Sequence, residues 1–241
     1  MKKLIAGNWK MNGLSGDAIE LSRAVKDGTK DITHVDWLIC PPSCHLPLVN
    51  GVTKGGQDCS IHQGGAHTGD ISAKMTHDLG GDYCICGHSE RRQNHKEINK
   101  TIQTKAKQII DAGMVAIICV GETLNERESG EAFHVVERQI RESMPDNATN
   151  NTVVIAYEPV WAIGTGMAAT VDDVEKMHNQ IRELLKSMVA SGSHMRIIYG
   201  GSVKPSNAGE LLNLDNVNGA LIGGASLNAD DFIAIGQAVK S

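Results

Sequence analysis

Val153-Val154-Ile155-Ala156-Tyr157-Glu158-Pro159-Val160-Trp161-Ala162-Ile163-Gly164-Thr165-Gly166 is the stretch on which the fold turns. Its first residues form an unbroken apolar run, the pattern of a strand covered on both faces. One carboxylate, Glu158, stands at the end of that run, and a Gly-containing loop follows. Beyond the loop, Val171, Val174, Met177, Ile181, Leu184, Leu185 and Met188 recur at helical spacing, with Thr170 and Asp173 spaced as a capping pair. The whole is one strand–loop–helix unit. Its glutamate reads two ways, as a surface acid on an ordinary connection or as a catalytic base under a movable lid.

Outward from this unit the same alternation recurs. Apolar runs at Leu4–Ala6, Trp37–Cys40, Tyr83–Cys86, Val115–Val120, Ile197–Tyr199 and Ala220–Ile222 are near-continuous rather than alternating, as in buried parallel strands. A weaker run near Val52–Asp58 completes eight strand–helix units of about 30 residues, the usual size of such a unit. Thr123 with Glu126 is spaced to open one helix, and Asn228 to cap the last. No Pro/Ser/Gly linker or charge block divides the chain. Residues 1–241 therefore read as a single α/β domain, a (β/α)8 barrel, with an open doubly wound sheet as the alternative.

Composition excludes several functions. The net charge of -5 gives no electrostatic footprint for nucleic acid or an anionic membrane, and 3% aromatics leave little for base stacking. The start, Met1 to Ala6, turns polar at Asn8, Lys10 and Asn12, without the apolar length of a signal peptide or a membrane span. Cys40, Cys44, Cys59, Cys84, Cys86 and Cys119 contain no C-x-x-C pair. They read as core thiols in a reducing, cytoplasmic compartment rather than as disulfides or zinc ligands.

In a barrel of this kind the active site lies at the carboxyl ends of the strands. Those ends carry Asn8 to Asn12, then Gly87-His88-Ser89-Glu90-Arg91-Arg92, then Gly121 and Glu122, then Glu158, then Gly200-Gly201-Ser202-Val203, and last Gly223-Gly224-Ala225-Ser226. The two Gly-rich turns let backbone N–H groups approach an anion, although glycines also serve tight turns. Lys10 is the cation nearest the end of the first strand, between Asn8 and Asn12. His88 stands at an expected helix N-terminus, where the dipole disfavours imidazolium and a neutral ring could donate to a substrate oxygen. Arg91 and Arg92 read as orienting and pairing groups.

These segments, in this order, resemble the triosephosphate isomerase family over essentially the whole chain. The resemblance rests on Gly7 to Asn12, Gly87 to Arg92, Cys119 to Thr123, Tyr157 to Gly166, Tyr199 to Val203 and Ile222 to Ser226. It implies that Glu158 is the base, His88 the neutral electrophile, and Lys10 with Asn8 the stabilisers of an enediolate, with Glu90 a further active-site carboxylate of open role. A glutamate base beside a neutral histidine belongs to the family and comes with the resemblance. Gly164, Ser202, Gly223 and Gly224 would hold the substrate's phosphate through backbone N–H groups. Proton abstraction beside a carbonyl requires only a base and an oxyanion stabiliser, so no metal or organic cofactor is expected.

The resemblance also implies a lid: Pro159-Val160-Trp161 as first hinge, Ala162-Ile163-Gly164-Thr165-Gly166 as tip, and Met167-Ala168-Ala169 as second hinge. Trp161 would meet Glu122 when the lid is open, and Met167 replaces a lysine common in the family. The polar loop 58–72 matches, at Ala66 to Asp70, a loop that inserts beside a partner subunit's site, which implies a homodimer with Thr68 near the partner's Asn8 and Lys10. The departure from the family lies between Cys40 and Gln57, where only His45–Asn50 is left for the second helix, a segment expected to lie away from the catalytic residues. Triose phosphates are the implied substrates. A different sugar-phosphate barrel enzyme has no reason to keep Lys10, His88 and Glu158 together, and an inactive binding protein would be expected to have lost one of them.

Overall fold

The structure, a computed structural model, describes residues 1–163, 167 and 169–240. Among these, eight parallel strands close into a barrel in chain order: β1 (Lys3–Asn8), β2 (Val35–Cys40), β3 (Thr53–Gly56), β4 (Tyr83–Cys86), β5 (Val115–Val120), β6 (Val153–Tyr157), β7 (Arg196–Tyr199) and β8 (Gly219–Ile222). Strand β8 returns to β1 with Leu4 opposite Gly219 and Gly7 opposite Ile222. That closure excludes the open doubly wound sheet.

The helices are α1 (Ser15–Thr29), α2 (Ala73–Asp78), α3 (Ser89–Asn94), α4 (Asn99–Asp111), α5 (Leu124–Glu128), α6 (Ala132–Ser143), α7 (Val171–Met188), α8 (Pro205–Leu211) and α9 (Ala229–Gln237). Three begin on the expected caps. The Thr170 hydroxyl accepts from Asp173 N at 3.2 Å while the Asp173 carboxylate accepts from Thr170 N at 3.0 Å, which satisfies donors that α7 would otherwise leave open. Thr123 and Glu126 do the same for α5, and Asn228 accepts from Asp231 N ahead of α9.

Strand periodicity divides the core into two layers. Leu4, Ala6, Leu38, Cys40, Ile85, Ile117, Cys119, Val154, Ala156, Ile198 and Leu221 fill the barrel interior. The alternate positions, among them Ile5, Ile39, Ile118, Ile155 and Ile197, pack outward against buried helix residues such as Val25, Ile102, Ile109, Ile140, Val174, Ile181 and Phe232. Most strands other than β3 are apolar on both faces because both are covered, which is why their runs in the sequence are continuous.

The second unit is the irregular one. The segment expected as a helix over His45–Asn50 is a 3₁₀ helix at Ser43–Leu48. Pro47 within it has no N–H for a helical ladder, and Pro41 and Pro42 precede it, so an α-helix cannot propagate. Buried Leu46 and Val49 cover this part of the core, and β3 is held by two residue pairs on each side. Cys40, Cys59, Cys84, Cys86 and Cys119 are buried, but Cys44, on the outer side of the 3₁₀ turn, is exposed and so is no core thiol. Among the described residues no helix is long and apolar enough to cross a membrane.

Candidate active site

The interior layer aims the site. Continuing the inward positions by two residues leads from Leu4 and Ala6 to Asn8, and from Val154 and Ala156 to Glu158. The same step leads from Cys119 to Gly121, from Ile198 to Gly200 and from Leu221 to Gly223. Period-two geometry thus turns these groups toward one mouth. There a cleft of about 710 Å³ is lined by Asn8, Lys10, His88, Glu90 and Glu158, and also by Ser202, Gly223 and Gly224.

Glu158 is 2% exposed and both of its oxygens are engaged. Oε1 lies 2.9 Å from His88 Nε2, and Oε2 accepts from Ser89 N at 2.9 Å. Ser89 opens α3, so this donor is one of the backbone N–H groups a helix start leaves available. Burial alone would raise the Glu158 pKa, but the charge and hydrogen bond of His88, the Ser89 N–H and the charge of Lys10 together bring it below the usual carboxylate value.

His88 is the N-cap of α3, and its Nδ1 accepts from Glu90 N at 3.3 Å. A ring that accepts at Nδ1 carries its proton on Nε2, the neutral tautomer that donates to Glu158. Burial works against the imidazolium, while the charge and hydrogen bond of Glu158, with Glu90, raise the pKa overall. The upward push therefore comes chiefly from the carboxylate. Glu158→Gln is expected to lower the His88 pKa, measured by NMR titration of its imidazole nitrogens; an unchanged value would show that other groups set it.

Lys10 Nζ reaches Glu90 Oε1 at 2.7 Å, which gives that carboxylate a partner at the mouth. Lys10 has φ 52°, a conformation rare for residues with a side chain and costing about 1–3 kcal/mol, of the kind that collects at functional sites. Arg92 bridges the rim from below, donating to Gly87 O, Asn99 Oδ1 and Cys119 O. Arg91 pairs with Asp58 and Glu97, which also share Lys105. Both arginines orient and pair, as expected.

Beside the cleft, Trp161 Nε1 donates to Glu122 Oε1 at 2.8 Å, and Tyr157 Oη donates to the same oxygen at 3.1 Å. Arg127 stacks over the Trp161 ring at 4.5 Å and reaches Asp173 in the α7 cap. Of the expected lid, Val160, Ala162 and Ile163 line the cleft, Pro159 precedes the 3₁₀ turn Val160–Ala162, Met167 is exposed and Ala169 packs against the outer core. Gly164, Thr165, Gly166 and Ala168 lie outside the described residues. Thr68 is exposed and outside the cleft, on a loop whose residues 61–71 are all exposed.

Sequence reading passed over two contributors. Ser89 was seen only as part of a motif, although a helix start implies a free backbone donor. Gln57, directly after β3, donates from Nε2 to Lys10 O at 2.8 Å and to Cys40 O at 2.9 Å. The weak β3 hides it, because a strand of two pairs on each side leaves no apolar run to mark where its end falls. The Cys40–Gln57 segment therefore does touch a candidate site residue, contrary to the expectation that it lies apart.

Fold and mouth together define a (β/α)8 barrel with an acid–base cluster at its carboxyl rim. The family model for triosephosphate isomerase matches residues 3–239. The triosephosphate isomerase of Rhizobium meliloti is 50% identical over 100% of this chain and 97% of its own, and that of Afipia carboxidovorans 50% identical over 99% and 98%. The crystal structure of triosephosphate isomerase from Bartonella henselae superposes with a TM-score of 0.92, at 44% identity over 99% of both chains. The chain belongs to the triosephosphate isomerase family.

Proposed function

We propose that this chain, as one (β/α)8 domain over residues 1–241, interconverts dihydroxyacetone phosphate and D-glyceraldehyde 3-phosphate through an enediolate and without a cofactor. The observation that carries the reading is the convergence of Glu158, His88 and Lys10 on one cleft that two Gly-rich turns also line. Substrate enters between Glu158 and His88, which are bonded to each other in the structure. His88 then donates a hydrogen bond from Nε2–H to the substrate oxygens, polarising them as a neutral electrophile while the hydroxyl proton passes from one oxygen to the other. Glu158 takes a proton from the carbon beside the carbonyl and returns it to the neighbouring carbon. In leaving His88 and Ser89 it loses the bonds that depress its pKa and keeps the burial that raises it, so it becomes the stronger base as it engages.

Negative charge grows on the enediolate oxygens, where Lys10 and Asn8 supply fixed donors; such groups stabilise charge most when water is excluded. Gly164, Ser202, Gly223 and Gly224 bind the phosphate through backbone N–H groups. Pro159 to Ala169 form the lid, and the Trp161–Glu122 bond corresponds to its open position in the family. The test is a coupled assay in both directions, with inhibition by phosphoglycolate, a phosphorylated mimic of the enediolate. Turnover with competitive inhibition is expected, and an inactive chain or one blind to phosphoglycolate would contradict the assignment.

The same reading makes the protein a cytoplasmic homodimer, with loop 58–72 inserted beside the partner and Thr68 near the partner's Asn8 and Lys10. Supporting it, Met11 is 95% exposed and Leu14 77% after β1, while Ile71, Met75 and Ile98 are exposed on the segments after β3 and β4. Large apolar groups exposed on the segments after β1, β3 and β4 are groups that an association surface would cover. Sedimentation at micromolar concentration should give twice the chain mass; a monomer there would contradict it.

A further inference from the structure

The ammonium of Lys10 can serve an oxyanion only if its backbone stays in the positive-φ conformation that sets the direction of the side chain. Four bonds hold the loop there. Lys10 N donates to Asn8 Oδ1 at 3.0 Å, Trp9 N donates to Cys40 O at 3.1 Å, and Gln57 Nε2 divides its two hydrogens between Lys10 O and that same Cys40 O. Gln57 thus ties the residue after β1 to the end of β2 from the end of β3, across three adjacent strands. The stem of Lys10 meanwhile runs beside the last Gly turn, its Cε 3.4 Å from where a Cβ on Gly223 would stand. A loop free to relax to negative φ would swing the ammonium away from that path.

We propose that Gln57 is a positioning residue for the reaction, holding Lys10 in the strained backbone conformation that presents its ammonium to the substrate oxygen. The inference rests on the oxyanion role of Lys10 given above. The chemistry is specific to an uncharged side chain with two N–H bonds on one atom and enough length to span both carbonyls. Glutamate accepts only, and would set its oxygens against two carbonyl oxygens; methionine has the length and no donor.

A double-mutant cycle separates this role from plain structural support. Gln57→Met is expected to lower kcat and kcat/KM together by roughly 10²-fold, the scale of a displacement near 1 Å, and to weaken phosphoglycolate binding. In a Lys10→Met background the same substitution should change kcat/KM by less than about twofold, because there is no ammonium left to misplace. Gln57→Glu serves as the second variant and should show the same dependence on Lys10. Equal losses in both backgrounds, or no loss in the first, overturn the proposal. Full activity of Lys10→Met alone would instead overturn the oxyanion role of Lys10, a separate outcome.

Discussion

Glu158→Gln is expected to lower kcat by roughly 10²- to 10⁴-fold, the range spanned by a positioned general base. The amide keeps the size and shape of the carboxylate at a site buried to 2% exposure, so packing is preserved and only the bond from His88 Nε2–H, which an NH2 group cannot accept, is lost. Its oxygen can still accept the Ser89 N–H that Oε2 accepts at 2.9 Å. What disappears is the capacity to take a proton. The loss should fall on kcat with KM little changed, since the cleft walls and both Gly turns are untouched. Steady-state kinetics beside a circular-dichroism melt would check it, and a variant that melts normally yet keeps full turnover would remove Glu158 from the chemistry.

Gly121→Ala should cost about 3 kcal/mol of stability, the upper end of ordinary overpacking. A Cβ on Gly121 would lie 1.6 Å from the carbonyl oxygen of Glu158, and that obstacle is backbone rather than a mobile side-chain tip. Gly121 cannot readily step aside either. Gln139 holds its N–H at 2.8 Å and its carbonyl at 3.1 Å, while Glu158 N is tied to Val120 O at 2.7 Å. For a chain of this size the melting temperature should fall by roughly 6–12 °C. Activity at low temperature should fall as well, since the displaced element carries Glu158, the proposed base. A melt unchanged from the parent would mean that the ends of β5 and β6 do not approach as closely as described.

These two residues show what could be read in advance. The buried strand leading to Glu158 was legible from its unbroken apolar run, but that run alone left a surface acid and a catalytic base equally open. The rim groups Lys10, His88 and the two Gly turns were what favoured the base. The barrel followed from repetition of that run, and the caps at Thr123, Thr170 and Asn228 followed from side-chain spacing alone. Gly121 was legible only as a rim glycine, because its requirement comes from the backbone of another strand 37 positions along the chain. Gln57 was missed for a related reason. A strand of four residues with two glycines leaves almost no hydrophobic signature, so nothing in the sequence marks its rim position. The 3₁₀ turn at Ser43–Leu48 shows local chemistry overriding pattern, with Pro47 stopping a helix that the spacing would allow. The pairing of His88 with Glu158 needed the three-dimensional arrangement, since nothing in either motif says that these two side chains bond to one another.

Isomerisation in D₂O tests the central claim most directly, because a carboxylate that carries a proton between adjacent carbons can exchange it with solvent while holding it. The account predicts that product analysed by NMR carries deuterium at the carbon that received the proton, and that Glu158→Gln loses this labelling in proportion to its turnover. Product that stays free of deuterium at every stage, with hydrogen passing directly from carbon to carbon, would contradict it.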